Sequence, residues 1–210
     1  MGTRGAMGFR IDGQDKVTYN HWDSYPSGLG IEILEEVSKM SIEEMTKIAR
    51  NIVLITDREQ PPTPEQKEAL KSYTNLGVGE QSDDDWYCVL RNAQGGLSSW
   101  LNHGLTYMID SQDFLKDSLF CEYAYIVNLD EMVFEFYKGF NKVPGSGRYG
   151  MLERIRFQET DNKYYGVALA ATIHLDALKG RSLDELNVFV DQWNKEDEEE
   201  SELPEIEAGT

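Results

Sequence analysis

Two His-x-Asp units are the first residues whose types and spacing could do chemistry: His21-Trp22-Asp23 and His174-Leu175-Asp176. On a strand, residues two apart share a face, so each unit can aim an imidazole and a carboxylate at one metal ion. If the two strand ends met, the four N/O ligands would suit zinc or manganese and a metal-assisted hydrolase. Such spacings also arise by chance in an acid-rich chain, and nothing in the sequence brings the ends together. His103, between Asn102 and Gly104, reads as a loop or cap residue.

A second constellation lies in the loop around Trp22–Gly30. A helix opening at Ser27-Gly28-Leu29-Gly30 offers backbone N–H groups and the positive end of a dipole to an anion. Arg4 on the adjoining ribbon supplies a guanidinium fork for a carboxylate or phosphate, and Tyr19, Trp22 and Tyr25 supply stacking faces. With Asp23, these residues define a pocket for a small anionic, nucleotide-like ligand. The plainer use of the same residues is a turn shaped by Pro26 and the glycines, a Ser27 helix cap, and aromatics in the core.

Nucleophilic chemistry finds less support. Removing Met1 exposes Gly2 rather than Thr3, there is no GxSxG elbow, and neither Cys88 nor Cys121 has a local signature pairing it with a histidine. Glu122, beside Tyr123 and Tyr125, is a general base only if buried. No catalytic residue is assigned and no cofactor is expected.

The charge narrows the partners. The 210 residues carry 38 acids against 20 Lys and Arg, a net charge of −18. Residues 195–210 hold eight of those acids, one base and almost nothing apolar, so they read as a disordered acidic tail. The remainder, 1–194, is expected to form one domain. No basic cluster exists to release counterions from a phosphate backbone, so direct nucleic-acid binding is disfavoured. An acidic body can instead mimic nucleic acid toward a basic protein, although acidity also serves solubility alone. Two isolated cysteines and no apolar targeting stretch point to a reducing cytoplasm, and no apolar run approaches bilayer length.

The elements that must position these residues are legible in part. Alternation through Met7, Phe9 and Ile11, then Val17 and Tyr19, around Asp12-Gly13 predicts a hairpin over Thr3–Asn20. Leu29, Ile33, Leu34, Val37 and Met40 fall on one helical face. Ser41 with Glu44, Thr63-Pro64 with Gln66, and Ser182 with Glu185 predict three further helix starts. The helix after Ser41 is expected to carry its apolar face through Ile52 and Ile55, and the one after Thr63 to run to about Tyr73. Short helices are expected over Asp85–Asn92 and Leu97–Leu105, and the loops Asp57–Thr63 and Thr74–Asp85 are long enough to carry a binding surface. Alternation returns at Tyr123–Asn128 and Val133–Lys138, and a last hairpin is expected from Leu152–Phe157 and Tyr164–Ile173. Runs of each type predict an α+β fold with a mainly antiparallel sheet of five or six strands and helices on one face.

The opening Met1-Gly2-Thr3-Arg4-Gly5, with Trp22-Asp23-Ser24-Tyr25-Pro26-Ser27-Gly28, resembles a group of small prokaryotic and phage-type proteins. These share an MGTR hairpin followed by an aromatic–Asp–(Gly/Ser)–Tyr–Pro–x–Gly loop. Asp117–Tyr125 is similar to that group's central strand. The resemblance implies a fold and no catalytic residues. The function expected is that of a non-catalytic accessory protein, of phage or mobile-element type, binding a protein partner or the small anionic ligand.

Overall fold

The computed structural model describes residues 2–152 and 164–202, the last eight in backbone only. Its main sheet has five strands: β1 (Gly5–Ile11), β2 (Gln14–Asn20), β5 (Tyr123–Asn128), β6 (Val133–Lys138) and β7 (Ala168–His174). Their order across the sheet is β2-β1-β5-β6-β7. The β1–β2 hairpin closes with positive φ at both Asp12 (53°) and Gly13 (78°), the twist that lets a two-residue loop join the strands. The amides of Asp12 and Gly13 donate to the two oxygens of Asp130 at 2.7 and 2.9 Å, which ties this turn to the β5–β6 turn. All pairings are antiparallel except β1–β5, which run parallel with Gly5 beside Tyr123.

One face of the sheet is covered by helices. A π-helical turn at Pro26–Gly30 leads into α1 (Ile31–Ser38), and α2 (Ile42–Asn51) follows with the expected Ser41–Glu44 capping box. The long α8 (Leu183–Glu202) completes the layer. Met7, Phe9, Tyr125, Val127, Phe134 and Phe136 meet Ile33, Leu34, Met45, Leu186 and Val190 there, all buried. Trp193 stacks on Phe136 with ring centroids 4.5 Å apart and lies parallel to Phe134 at 6.1 Å. Stacked aromatics of this kind add to a burial term of about 2–3 kcal/mol for each large apolar side chain.

The opposite face is covered by short pieces. A 3-10 turn at Gln112–Lys116, the single turn α6 (Gly147–Gly150) and Val167 lie over Ala6, Val17, Ala124, Ile126 and Tyr137. The remaining helices are also short: α3 (Pro64–Ala69), α4 (Trp86–Val89), α5 (Ser98–Leu101) and α7 (Leu175–Leu178). Among the described residues, no helix is long and apolar enough to cross a membrane.

The α+β architecture agrees with the sequence, and the departures have physical causes. The helix expected to continue through Ile55 stops at Asn51, because the Lys16 ammonium takes the carbonyls of Ala49, Arg50 and Ile52 at 2.9, 3.3 and 2.7 Å. A distant lysine thus caps the helix, and the chain leaves it as β3 (Val53–Ile55), paired in parallel with β4 (Tyr107–Ile109). The helix after Thr63 ends at Ala69 and tightens into a 3-10 turn at Lys71–Tyr73. Most of the expected Leu152–Phe157 strand lies outside the described residues; its expected partner, Tyr164–Ile173, is a strand only from Ala168 on, as β7, which pairs with β6. The α8 backbone continues to Glu202; the rest of the acidic tail lies outside the described residues.

Candidate functional site

The Trp22–Gly30 loop is built largely from its own backbone. Buried Asn20 donates its amide to the Trp22 carbonyl (2.5 Å) and the Ser24 hydroxyl (2.8 Å), and its Oδ1 accepts the Gly95 amide (2.9 Å). The amides that were expected to face an anion are already engaged: Gly28 and Gly30 donate to the Tyr25 carbonyl, and Leu29 donates to that of Asp23. Ser27 does not cap. The π-helical turn starts from Tyr25 and α1 from Gly30, neither with a side-chain cap bond. Gly28 is required for close approach, since a Cβ there would lie 2.3 Å from the Asp23 carbonyl oxygen. Gly30 likewise admits the Tyr125 ring, 3.0 Å from its would-be Cβ.

Arg4 is not part of this pocket. Its guanidinium lies 4.6 Å over the Phe120 ring, and its amide donates to Glu122 at 3.1 Å. The pocket beside the loop, about 170 Å³, has Arg91 as its cation, together with Trp22, Asp23 and Glu32. Arg91 sits 5.7 Å from the Trp22 ring centroid and 5.9 Å from that of Tyr87, and it donates to Gln94 at 2.9 Å. Burial, and then the Asp23 charge, raises the Glu32 carboxyl. Glu36, one turn on, is pushed up to about 7 mainly by burial, although the Leu97 amide donates to it at 3.0 Å. With one guanidinium facing two carboxylates, this pocket is poorly suited to an anion.

The two His-x-Asp units do not converge. His21 follows β2 at one edge of the sheet, whereas His174 ends β7 at the other. The registers place them at diagonal corners, because Asn20 aligns with the start of β5 and His174 with the start of β6. Four strand spacings of about 4.8 Å separate them, far beyond a shared coordination sphere. His21 bonds Tyr19 Oη through Nδ1 at 2.6 Å, and burial with Arg91 and Arg4 nearby lowers its pKa. His174 lies 3.8 Å from Asp176. Among the described residues, no three His, Cys, Asp or Glu side chains gather to hold a metal ion.

A larger cleft of about 670 Å³ opens beside β2. Tyr19, Tyr87 on α4 and Phe114 give it aromatic walls, and Asp57, Glu59, Asp110 and Asp113 give it carboxylates. Tyr19 meets Phe114 edge to face at 5.1 Å, and burial raises the Tyr19 hydroxyl pKa. Arg58 is the cleft's cation, and its guanidinium donates to the Asp110 carbonyl (2.7 Å) and the Ser111 hydroxyl (3.2 Å). The loop Thr56–Glu59 is thereby fastened to the segment following β4. Of the candidate residues named from sequence, Tyr19 alone reaches this cleft. The readable signal for the rest was the length of the 57–63 loop.

Beneath α6, the second face of the sheet holds a closed ionic network. Arg148 donates to both oxygens of buried Glu135 (2.5 and 2.6 Å) and to buried Asp15 (3.3 Å). Tyr149 and Arg10 also donate to Asp15 (2.6 and 3.1 Å), while Asn128 and Tyr137 donate to Glu135 (2.8 and 3.0 Å). Burial, reinforced by these carboxylates, pushes both tyrosine hydroxyls up, so they stay donors. The carboxylates are consumed by this network, which makes it a clamp. Cys121 is fully buried and its thiol is pushed well up by burial, an environment that suppresses the thiolate.

Compared with known proteins, the chain matches no family model, no curated protein and no solved structure.

Proposed function

We propose that this chain is a non-catalytic binding protein that acts stoichiometrically, with the cleft beside Tyr19 as the seat of its ligand. The cleft carries the reading: about 670 Å³ lies in the range of about 300–1,000 Å³ typical of small-molecule sites, and three aromatic rings line it. The three histidines favour binding over catalysis. His21 is held by Tyr19, His103 Nδ1 lies 3.1 Å from the Ser98 backbone carbonyl, and His174 neighbours Asp176, so the partners of the histidines are a phenol, a carbonyl and a carboxylate. The likeness of the amino-terminal segment to phage-type proteins fits an accessory role of this kind.

A screen of small neutral and charged fragments, followed by backbone and aromatic NMR shifts, tests the assignment. Hits should perturb Tyr19, Tyr87 and Phe114 together. Hits that cluster at Trp22 and Arg91, or scatter over the surface, would remove the cleft as the seat.

A further inference from the structure

We infer that the ligand of this cleft is a small organic polycation of the diamine or polyamine type, an inference resting on the proposal that the cleft is the seat. Four carboxylates line it against one arginine, and that arginine is turned onto a carbonyl and a hydroxyl. Asp113 is paired with Lys116 at 2.6 Å, which leaves the three carboxylates of Asp57, Glu59 and Asp110 against the one Arg58 guanidinium and the local charge negative. Asp57 and Asp110 each spend one oxygen on a nearby backbone amide, of Glu59 and Gln112, and keep acceptor capacity on the other. An anionic ligand would enter against this field.

The volume of the cleft and its rings are independent of the charge. Tyr19, Tyr87 and Phe114 line the cleft with aromatic carbon, apolar cover for an alkylammonium whose methylenes need it as much as its nitrogen needs a carboxylate. An inorganic cation fits less well, because no three acidic side chains among the described residues come close enough to ligate one ion. The carboxylates come from two chain segments, 57–59 and 110, so a molecule with two or more ammonium groups engages both. The net charge of −18 draws such a ligand in from solution.

Calorimetric titration of spermidine into the full-length protein at low salt tests the inference. The expected result is saturable one-site binding, weakened about tenfold in Asp57→Asn/Glu59→Gln and by no more than about twofold in Glu43→Gln/Glu131→Gln, which removes two carboxylates elsewhere. Equal weakening in both double variants would reduce the effect to bulk charge and overturn the inference. A tetra-arginine peptide that binds where spermidine does not would overturn its small-molecule form. Neutral fragments that shift Tyr19 and Phe114 while spermidine does not would sink the polycation and leave the seat standing. If neither does, both proposals fall.

Discussion

The two faces of the sheet are held by different physics. On the helical face, Phe134, Phe136 and Trp193 form a stack backed by aliphatic side chains, and most of the hold comes from apolar burial. The other face lies under short turns with much less apolar area, and it is fastened by Arg148 reaching Glu135 and Asp15. Apolar burial tolerates small displacements because it is non-directional. A buried ion pair does not, since each charge has left water and depends on its partner. Long helices can cover a sheet with hydrocarbon, whereas a four-residue turn needs a directional anchor.

The largest test of that contrast is Phe136→Ala, which should cost about 3–5 kcal/mol in urea unfolding by removing the ring that Trp193 stacks on. Arg148→Met should cost about 2–4 kcal/mol, because it strands the Glu135 and Asp15 carboxylates; adding Glu135→Leu should return much of the loss. If the second substitution only deepens the loss, the clamp is more than charge compensation. Lys16→Met should cost about 1–2 kcal/mol by uncapping α2, with loss of hydrogen-exchange protection concentrated at Ala49–Ile52.

Glu36→Gln is the smallest change and carries the opposite sign. Glu36 is raised from 4.5 to about 7 in the fold, so the native state binds its proton more tightly than the unfolded chain does. The stability this gives is complete below about pH 4.5 and is lost as the pH rises through about 7. The variant should therefore be more stable than wild type at pH 8 by about 1 kcal/mol, with a flatter pH profile of thermal unfolding between those values. An unchanged profile would show that water reaches this carboxyl.

What the sequence revealed and what it hid divide by range. The β1–β2 hairpin, both β5 and β6, and the capping boxes at Ser41 and Thr63 are local patterns and stand where the residues put them. Three-residue β3 and β4 carry too little alternation to register, and α2 ends at a lysine more than thirty positions earlier in the chain. The clamp joins Asp15, Glu135 and Arg148, three charges scattered through a chain rich in charge. The loop amides were hidden for a related reason: spacing places Ser27 and Gly28 at a helix start, but does not tell that the Asp23 and Tyr25 carbonyls occupy the amides. The sequence sets Arg4 on the ribbon beside that loop, where Ser24 donates to the Thr3 carbonyl, and the turn of its guanidinium onto Phe120 follows from where residues 117–123 return.

The parallel seam between β1 and β5 also governs the order of assembly. The contact from Arg4 to Glu122 closes a separation of 118 residues, so β1 cannot find its inner neighbour until a segment more than a hundred positions further along the chain has emerged. Until then the amino-terminal ribbon exposes one unpaired rim, a template for wrong pairing during synthesis. Sheets completed by such distant partners form slowly, and nascent chains halted before Tyr123 are the species most exposed to aggregation.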